Sequence, residues 1–299
     1  MKTKEKALKL LFSDSGLGGI SIMAEIANYL IKEKPVEYVE LIFFNSTPDK
    51  IIGYNKMKSE AEKISVFNSA LYSMKKKFNP DHIFIACNTL SVIYEKTKFA
   101  MNESVPVWNI VDSGLISIME KLSINDNSIV IILGTPTTIK SNTYKIKLIE
   151  KGIDEERIIN QSCPDLESEI QKNPESYETQ NLIYKYLSEA LQQIKNEDAK
   201  IFIALCCTHY GFAEKVFDFV LKDMGINNFE IINPNKKMVE RIKSNFSGKT
   251  SDGFQLKCKV VSKVFFYEEE LNSISKQIEN ISPLVAESLR KYELIEDLF

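Results

Sequence analysis

The stretch that decides the fold is IFIALCCTHY, residues 201–210. Five apolar residues run without a polar interruption into Cys206, Cys207, Thr208, His209 and Tyr210. Such a run reads as a strand covered on both faces, which means a parallel strand with helices on either side. Nearly the same phrase occurs earlier as IFIACNTLS, residues 83–91. A chain that twice drives a buried strand into a cysteine followed by hydrogen-bonding side chains places its chemistry at strand ends.

Working outward, short β-branched runs alternate with amphipathic stretches. Strands are expected at 7–13, 37–45, 82–86, 128–134, 157–161, 200–206 and 229–232. Helices are expected over about 17–32 and 56–78, with another opening near Thr89. This alternation predicts an α/β fold with mostly parallel sheets and a ligand at the carboxyl ends of the strands. No Ser/Gly-rich linker is present, so the chain must pass between units over short segments. NESVPVWNI (102–110) is the candidate for the first crossing and CCTHYGF (206–212) for the return. The Lys- and Glu-rich tail from about residue 272 to 299 reads as one or two helices packed on the outside.

Composition narrows the function classes. The 299 residues carry a net charge of −3 with acids and bases interspersed, so no basic field favours nucleic acid. The basic start at residues 1–6 is not followed by a signal-peptide pattern, and no apolar run approaches the roughly 20 residues that span a bilayer. A cytoplasmic protein without membrane association is expected. The five cysteines, Cys87, Cys163, Cys206, Cys207 and Cys258, are odd in number and lack paired short spacings. They read as reduced thiols, outside any disulfide framework or zinc site.

Four strand-to-loop junctions carry small polar residues: FSDSGLGG (12–19), ACNTLS (86–91), LGTPTTIKSNTY (133–144) and LCCTHY (205–210). Helix N-termini offer free N–H groups, and Ser, Thr and Asn supplement them, so the set suits a small anionic ligand. Gly16, Gly18 and Gly19 are expected to let the backbone approach that ligand closely. Their G-x-G-G spacing is not the dinucleotide fingerprint, and GTPTT lacks the lysine of a phosphate loop. Cys87 and Cys207 both stand where a helix should begin, a setting that lowers a thiol's pKa. Two thiols on opposite sides of one ligand can take a proton as thiolate and deliver another as thiol, which inverts a stereocentre. A single cysteine ending a strand is most often packing; the pair, in corresponding halves of the chain, favours function. Cys206 keeps a packing role because strand alternation turns it away from Cys207. His209, beside Cys207, is read as functional and His82 as a turn residue. Hydrolysis by Cys207 with His209 is disfavoured, since nucleophilic cysteines usually take a histidine from elsewhere in the fold.

These residues resemble the cofactor-independent aspartate/glutamate racemase family. Its Asp-Ser-Gly followed by Gly-Gly is matched by Asp14, Ser15, Gly16, Gly18 and Gly19. Its Ala-Cys-Asn-Thr is matched by Ala86 to Thr89, and its Cys-Thr-His-Tyr by Cys207 to Tyr210. The segment 134–144 is similar to its Gly-Thr loop, Cys163-Pro164 to a dipeptide at that point, and the likeness runs from about residue 8 to 245. The Asp-Ser-Gly loop and the Thr-His after the second cysteine favour the glutamate branch over the aspartate one.

The resemblance implies two pseudo-symmetric three-layer α/β domains, residues 1–104 with 213–299 and residues 105–212, with the active site in the cleft between them. It implies racemisation of L-glutamate to D-glutamate for peptidoglycan supply, with an amino acid as the small-molecule partner. No pyridoxal cofactor and no metal are implied; the oligomeric state is open, a homodimer included. Cys87 and Cys207 would be the acid/base thiols, assisted by Asp14 and His209. Ser15, Asn88, Thr89 and Thr208 would hold the substrate's carboxylate and ammonium groups, together with Asp14 and His209. Where the family has Pro-Tyr-Gly this chain has IIGYNKMKS (51–59), making Tyr54 and Asn55 the equivalents. In CPDLESEIQ (163–171), Glu167, Glu169 or neither serves as the acid on the histidine side, and NPNKKM (233–238) lacks the usual aspartate. These departures keep open a racemase of aspartate or another small α-amino acid, and an idle amino-acid-binding protein on the same scaffold.

Overall fold

The computed structural model describes residues 7–196, 198–247 and 253–299. The basic start, residues 1–6, lies outside the described residues. The first sheet is laid down by β1 (Leu8–Asp14), β2 (Tyr38–Asn45), β3 (His82–Ile85) and β4 (Val107–Asn109). Between them run α1 (Ile20–Glu33), α2 (Glu60–Phe78), α3 (Asn88–Tyr94) and α4 (Lys98–Asn102). After α5 (Ile110–Leu122), the second sheet takes β5 (Ser128–Gly134), β6 (Ile158–Ser162), β7 (Lys200–Cys206) and β8 (Phe229–Ile232). Its connections are α6 (Pro136–Lys140), α7 (Thr143–Glu150), α8 (Leu166–Lys172), α9 (Tyr177–Leu191) and α10 (Glu214–Asp223). The chain returns through α11 (Pro234–Asn245) to β9 (Gln255–Ser262), then α12 (Glu268–Glu279), α13 (Pro283–Arg290) and β10 (Glu293–Leu294).

The strand orders are β10-β9-β2-β1-β3-β4 and β6-β5-β7-β8, and each described pairing is parallel. Stripped of β9 and β10, both sheets follow one scheme: second strand, first, third, fourth. Each therefore reverses direction of winding between its first and third strands, the place where open α/β sheets bind ligands. The two cysteine phrases are the third strands of the two sheets, β3 and β7, so Cys87 and Cys207 occupy corresponding positions. Both strands are buried along almost their whole length, as continuous apolar runs require.

The sheet memberships correct the expected boundaries. Val107–Asn109 pairs with β3 in the first sheet, and Phe229–Ile232 pairs with β7 in the second. The changeovers therefore fall in α5 and α11, after residues 104 and 212. These two helices pack on each other, and Arg241 Nη1 donates to Ser113 Oγ at 2.8 Å across them. β9 was not expected: Lys257 and Lys259 interrupt its apolar positions, yet it pairs with β2 along its whole length. The tail is likewise no external addition. Ile274, Ile278, Val285, Ala286 and Leu289 bury into the core beneath α1, and Leu298 joins the other face of the sheet. His82 is the first residue of β3, its ring stacked on Phe84, because the turn ends one residue earlier than its Asn-Pro-Asp signal suggests. Among the described residues no helix is long and apolar enough to cross a membrane.

Candidate active site

Between the carboxyl ends of the two sheets lies a cavity of about 460 Å³. The ten residues expected to be catalytic or substrate-binding border it: Asp14 and Ser15 after β1, Cys87, Asn88 and Thr89 after β3, Cys207, Thr208 and His209 after β7, and Tyr54 and Asn55 from the 51–59 segment. Cys87 is the N-cap of α3, and Cys207 that of the short 3-10 turn Thr208–Ala213. Strand alternation separates the adjacent sulfurs. Cys206 is fully buried in the cluster that includes Tyr144, while Cys207 faces the cavity.

Asp14 ties the two halves together. Its Oδ2 accepts from the backbone N–H of Gly19 at 2.6 Å and from Thr208 Oγ1 at 2.9 Å. Burial raises its carboxyl to about 6, against opposing hydrogen bonds from Thr208, Gly19, Cys87 and Gly16. Ser15 Oγ lies 3.2 Å from Cys87 Sγ. On the other side Cys207 Sγ lies 3.9 Å from His209 Nδ1. Burial lowers His209 to about 4, so the ring is neutral near pH 7.

The thiols differ from the sequence expectation. Both stand at helix N-termini, but both are pushed up: Cys87 by burial and then by the charge of Asp14, Cys207 by burial and then by the charge of Glu167. Desolvation and neighbouring acids outweigh the short helices behind them.

Of the three glycines expected beside the ligand, Gly16 borders the cavity, whereas Gly18 and Gly19 serve a different purpose. A Cβ on Gly18 would stand 2.6 Å from the His209 backbone nitrogen and from Thr208 Oγ1. One on Gly19 would stand 2.5 Å from the carbonyl oxygen of Ala86. Their bare backbone lets the β1–α1 loop press against the two cysteine-bearing loops, which fixes the cavity's shape.

Several polar atoms here have no side-chain or backbone partner: Asn88 Nδ2, the Tyr54 hydroxyl and Glu167 Oε2. Asn88 is oriented by Tyr144, whose hydroxyl donates to Asn88 Oδ1 at 2.6 Å, leaving its Nδ2 as a donor. Neither acid left open is hydrogen-bonded to His209: Glu167 borders the cavity and accepts from Asn55 Nδ2 at 3.2 Å, and Glu169 pairs with Lys172. Sequence reasoning missed Lys50, Gln171 and Glu270, which also border the cavity. Gln171 carried a signal, since it stands one helical turn beyond Glu167 on the same face of α8. Among the described residues no group of three or more His, Cys, Asp or Glu could hold a metal ion.

Curated proteins similar to this chain in sequence are amino-acid racemases. The particular relatives are glutamate racemases, as the motifs led us to expect. "Glutamate racemase 3" of Caldanaerobacter subterraneus is 27% identical over 232 residues, 77% of this chain and 75% of that protein. Glutamate racemase of Fusobacterium nucleatum is 27% identical over 242 residues, 79% of this chain and 80% of its own. No family model matches the chain. The fold is that of the solved glutamate racemases: the Campylobacter jejuni enzyme superposes with a TM-score of 0.67 at 20% identity, covering 91% of this chain and 98% of its own. The Francisella tularensis enzyme, solved in complex with D-glutamate, gives 0.68 at 20% identity over 91% of this chain and 93% of its own.

Proposed function

We propose that this protein is a cofactor-independent glutamate racemase, interconverting L- and D-glutamate in the cytoplasm for peptidoglycan precursor supply. One observation carries the reading: two thiols at corresponding ends of a repeated sheet order border one cavity. In one direction a thiolate takes the proton from Cα as that C–H bond breaks, and the opposite thiol gives its proton to the other face of the carbanion. The roles exchange in the reverse direction. Asp14 serves Cys87 and His209 serves Cys207. Asn88 Nδ2, Thr89 and the loop amides hold the α-carboxylate, Ser15 and Thr208 the region of the ammonium, and Tyr54 and Asn55 border the side-chain end. Fixed donors around the cavity stabilise the charge that develops as Cα loses its proton. The two lobes meet at this cleft, the chain crossing between them in α5 and α11. In deuterated water, L-glutamate should lose its circular-dichroism signal while deuterium enters Cα. Stable optical rotation with no exchange at any amino acid would reject an enzyme and leave a binding protein.

A second substrate is favoured by one feature, the buried Glu167 with an unpartnered oxygen at the cavity. A carboxylate there repels a substrate whose side chain is also a carboxylate, aspartate as much as glutamate, so a neutral small α-amino acid is the second substrate to set beside glutamate and aspartate in the same exchange panel. For glutamate, Glu167→Gln is expected to raise kcat/KM about tenfold, or ~1.4 kcal/mol. A fall of that size would instead assign Glu167 to the substrate's ammonium group.

A further inference from the structure

The side of His209 turned away from Cys207 is held by a relay that the mechanism above does not use. His209 Nε2 lies 2.9 Å from Gln171 Oε1. Gln171 Nε2 donates to Glu270 Oε1 at 2.9 Å, and Lys50 Nζ donates to Glu270 Oε2 at 2.6 Å. The backbone N–H of Tyr267 also donates to Glu270 Oε2, at 2.9 Å. The Lys50 ammonium lies 4.3 Å from the centre of the Tyr267 ring, which adds a cation–π contact to the ion pair.

An amide side chain can usually be turned end for end, but not here. Glu270, ion-paired with Lys50, presents acceptors only, so the NH2 of Gln171 must face it. The backbone N–H of Leu17 donates to Gln171 Oε1 at 3.2 Å, which demands an oxygen on the other side. Two independent neighbours therefore impose one orientation, and the atom facing His209 Nε2 is an acceptor. Nε2 must then carry the proton. In a neutral imidazole this leaves Nδ1 with a lone pair, and Nδ1 is the nitrogen 3.9 Å from Cys207 Sγ.

We propose that Gln171, oriented by Glu270, is a positioning residue that fixes the Nε2–H tautomer of His209 and thereby makes Nδ1 the acceptor for the Cys207 proton. This rests on the racemase reading. In the step it serves, the S–H bond of Cys207 breaks and an Nδ1–H bond forms. The result is a thiolate beside an imidazolium whose Nε2–H still donates to Gln171, and the sulfur's electron pair then takes the proton from Cα. The relay joins the loop after β2, α8 and the start of α12, so the C-terminal region beyond residue 262 becomes part of the site's supporting structure.

The chain has only two histidines, His82 and His209, which makes the test direct. With 15N-labelled histidine, long-range proton–nitrogen spectra of the intact protein distinguish the two tautomers, and a His209→Gln sample assigns the signals. The wild type should show His209 with Nε2–H and unprotonated Nδ1. Gln171→Met, which keeps the bulk and removes the acceptor, should show a mixture of tautomers, with kcat/KM reduced about tenfold equally in both directions, a fraction of a general base's usual contribution. An Nδ1–H ring in the wild type overturns the proposal, as does an unmixed Nε2–H ring in the variant; the wild-type spectrum decides even if the variant does not fold. Absence of α-deuterium exchange in the wild type would reject the racemase reading separately, whatever the spectra show.

Discussion

Cys87→Ala and Cys207→Ala are each expected to reduce glutamate racemisation by at least ~10³-fold in both directions, within the range a positioned acid or base supplies. In the proposed mechanism inversion uses both sulfurs in every turnover, one to remove the α-proton and one to return it from the opposite face, so neither single variant would complete a cycle. The variants should differ in what survives. With one thiol left, only the enantiomer whose α-proton faces it can exchange with solvent deuterium, so residual wash-in should select opposite enantiomers in the two variants. Near-wild-type racemisation in either one would reject the two-thiol mechanism. Burial and nearby acids push both thiols up in the free protein. A thiolate therefore needs positive charge brought to it. The substrate's own ammonium is the cation that arrives with each turnover, which couples thiol ionisation to substrate binding.

The sequence made strand ends legible and long-range support illegible, for physical reasons that particular residues show. β3 and β7 could be read because a strand buried on both faces leaves an uninterrupted apolar run, and the residue after such a run sits at the ligand end of the sheet. β9 escaped notice because its outer positions carry lysines, and β4 because three residues after Pro106 are too few to form a pattern. The expectation of acidic thiols failed in the same way. A helix start is a local feature, whereas the desolvation that outweighs it comes from both sheets together. Gln171 and Glu270 are 38 and 61 positions from His209 along the chain (209 − 171 and 270 − 209), and no spacing rule links them; only the fold does. The glycine loop was recognised by its pattern, but of its glycines Gly16 alone borders the cavity, while Gly18 lets the loop approach Thr208 and His209 of the other sheet.

Asp14→Asn should stabilise the fold at pH 7 while lowering racemisation by ~10²-fold or more, the lower end of a general base's contribution. The reason lies in the carboxyl group's position, raised by burial from 3.8 to about 6. A group that binds its proton more tightly when folded contributes stability that is complete below pH 3.8 and lost as the pH rises through about 6. Above that window the folded protein carries a buried carboxylate at a cost of roughly 3 kcal/mol. The two strongest donors, Gly19 N–H and Thr208 Oγ1, both reach Oδ2, and an asparagine oxygen can accept from both. An amide offers one acceptor oxygen where the carboxylate offers two, so the weaker hydrogen bonds from Cys87 and the Gly16 N–H are lost at a cost of about 1 kcal/mol. A net gain of about 2 kcal/mol remains at pH 7, and it should shrink to nothing or reverse below pH 4, where the wild-type carboxyl is neutral as well. Urea unfolding of both proteins from pH 4 to 8 reads this directly: the two curves should diverge between about 4 and 6, the wild type falling relative to the variant. Parallel curves would mean that Asp14 carries no such cost. The raised proton affinity would then not be what suits this carboxylate to accept a proton from Cys87, a thiol that its own charge helps to keep protonated.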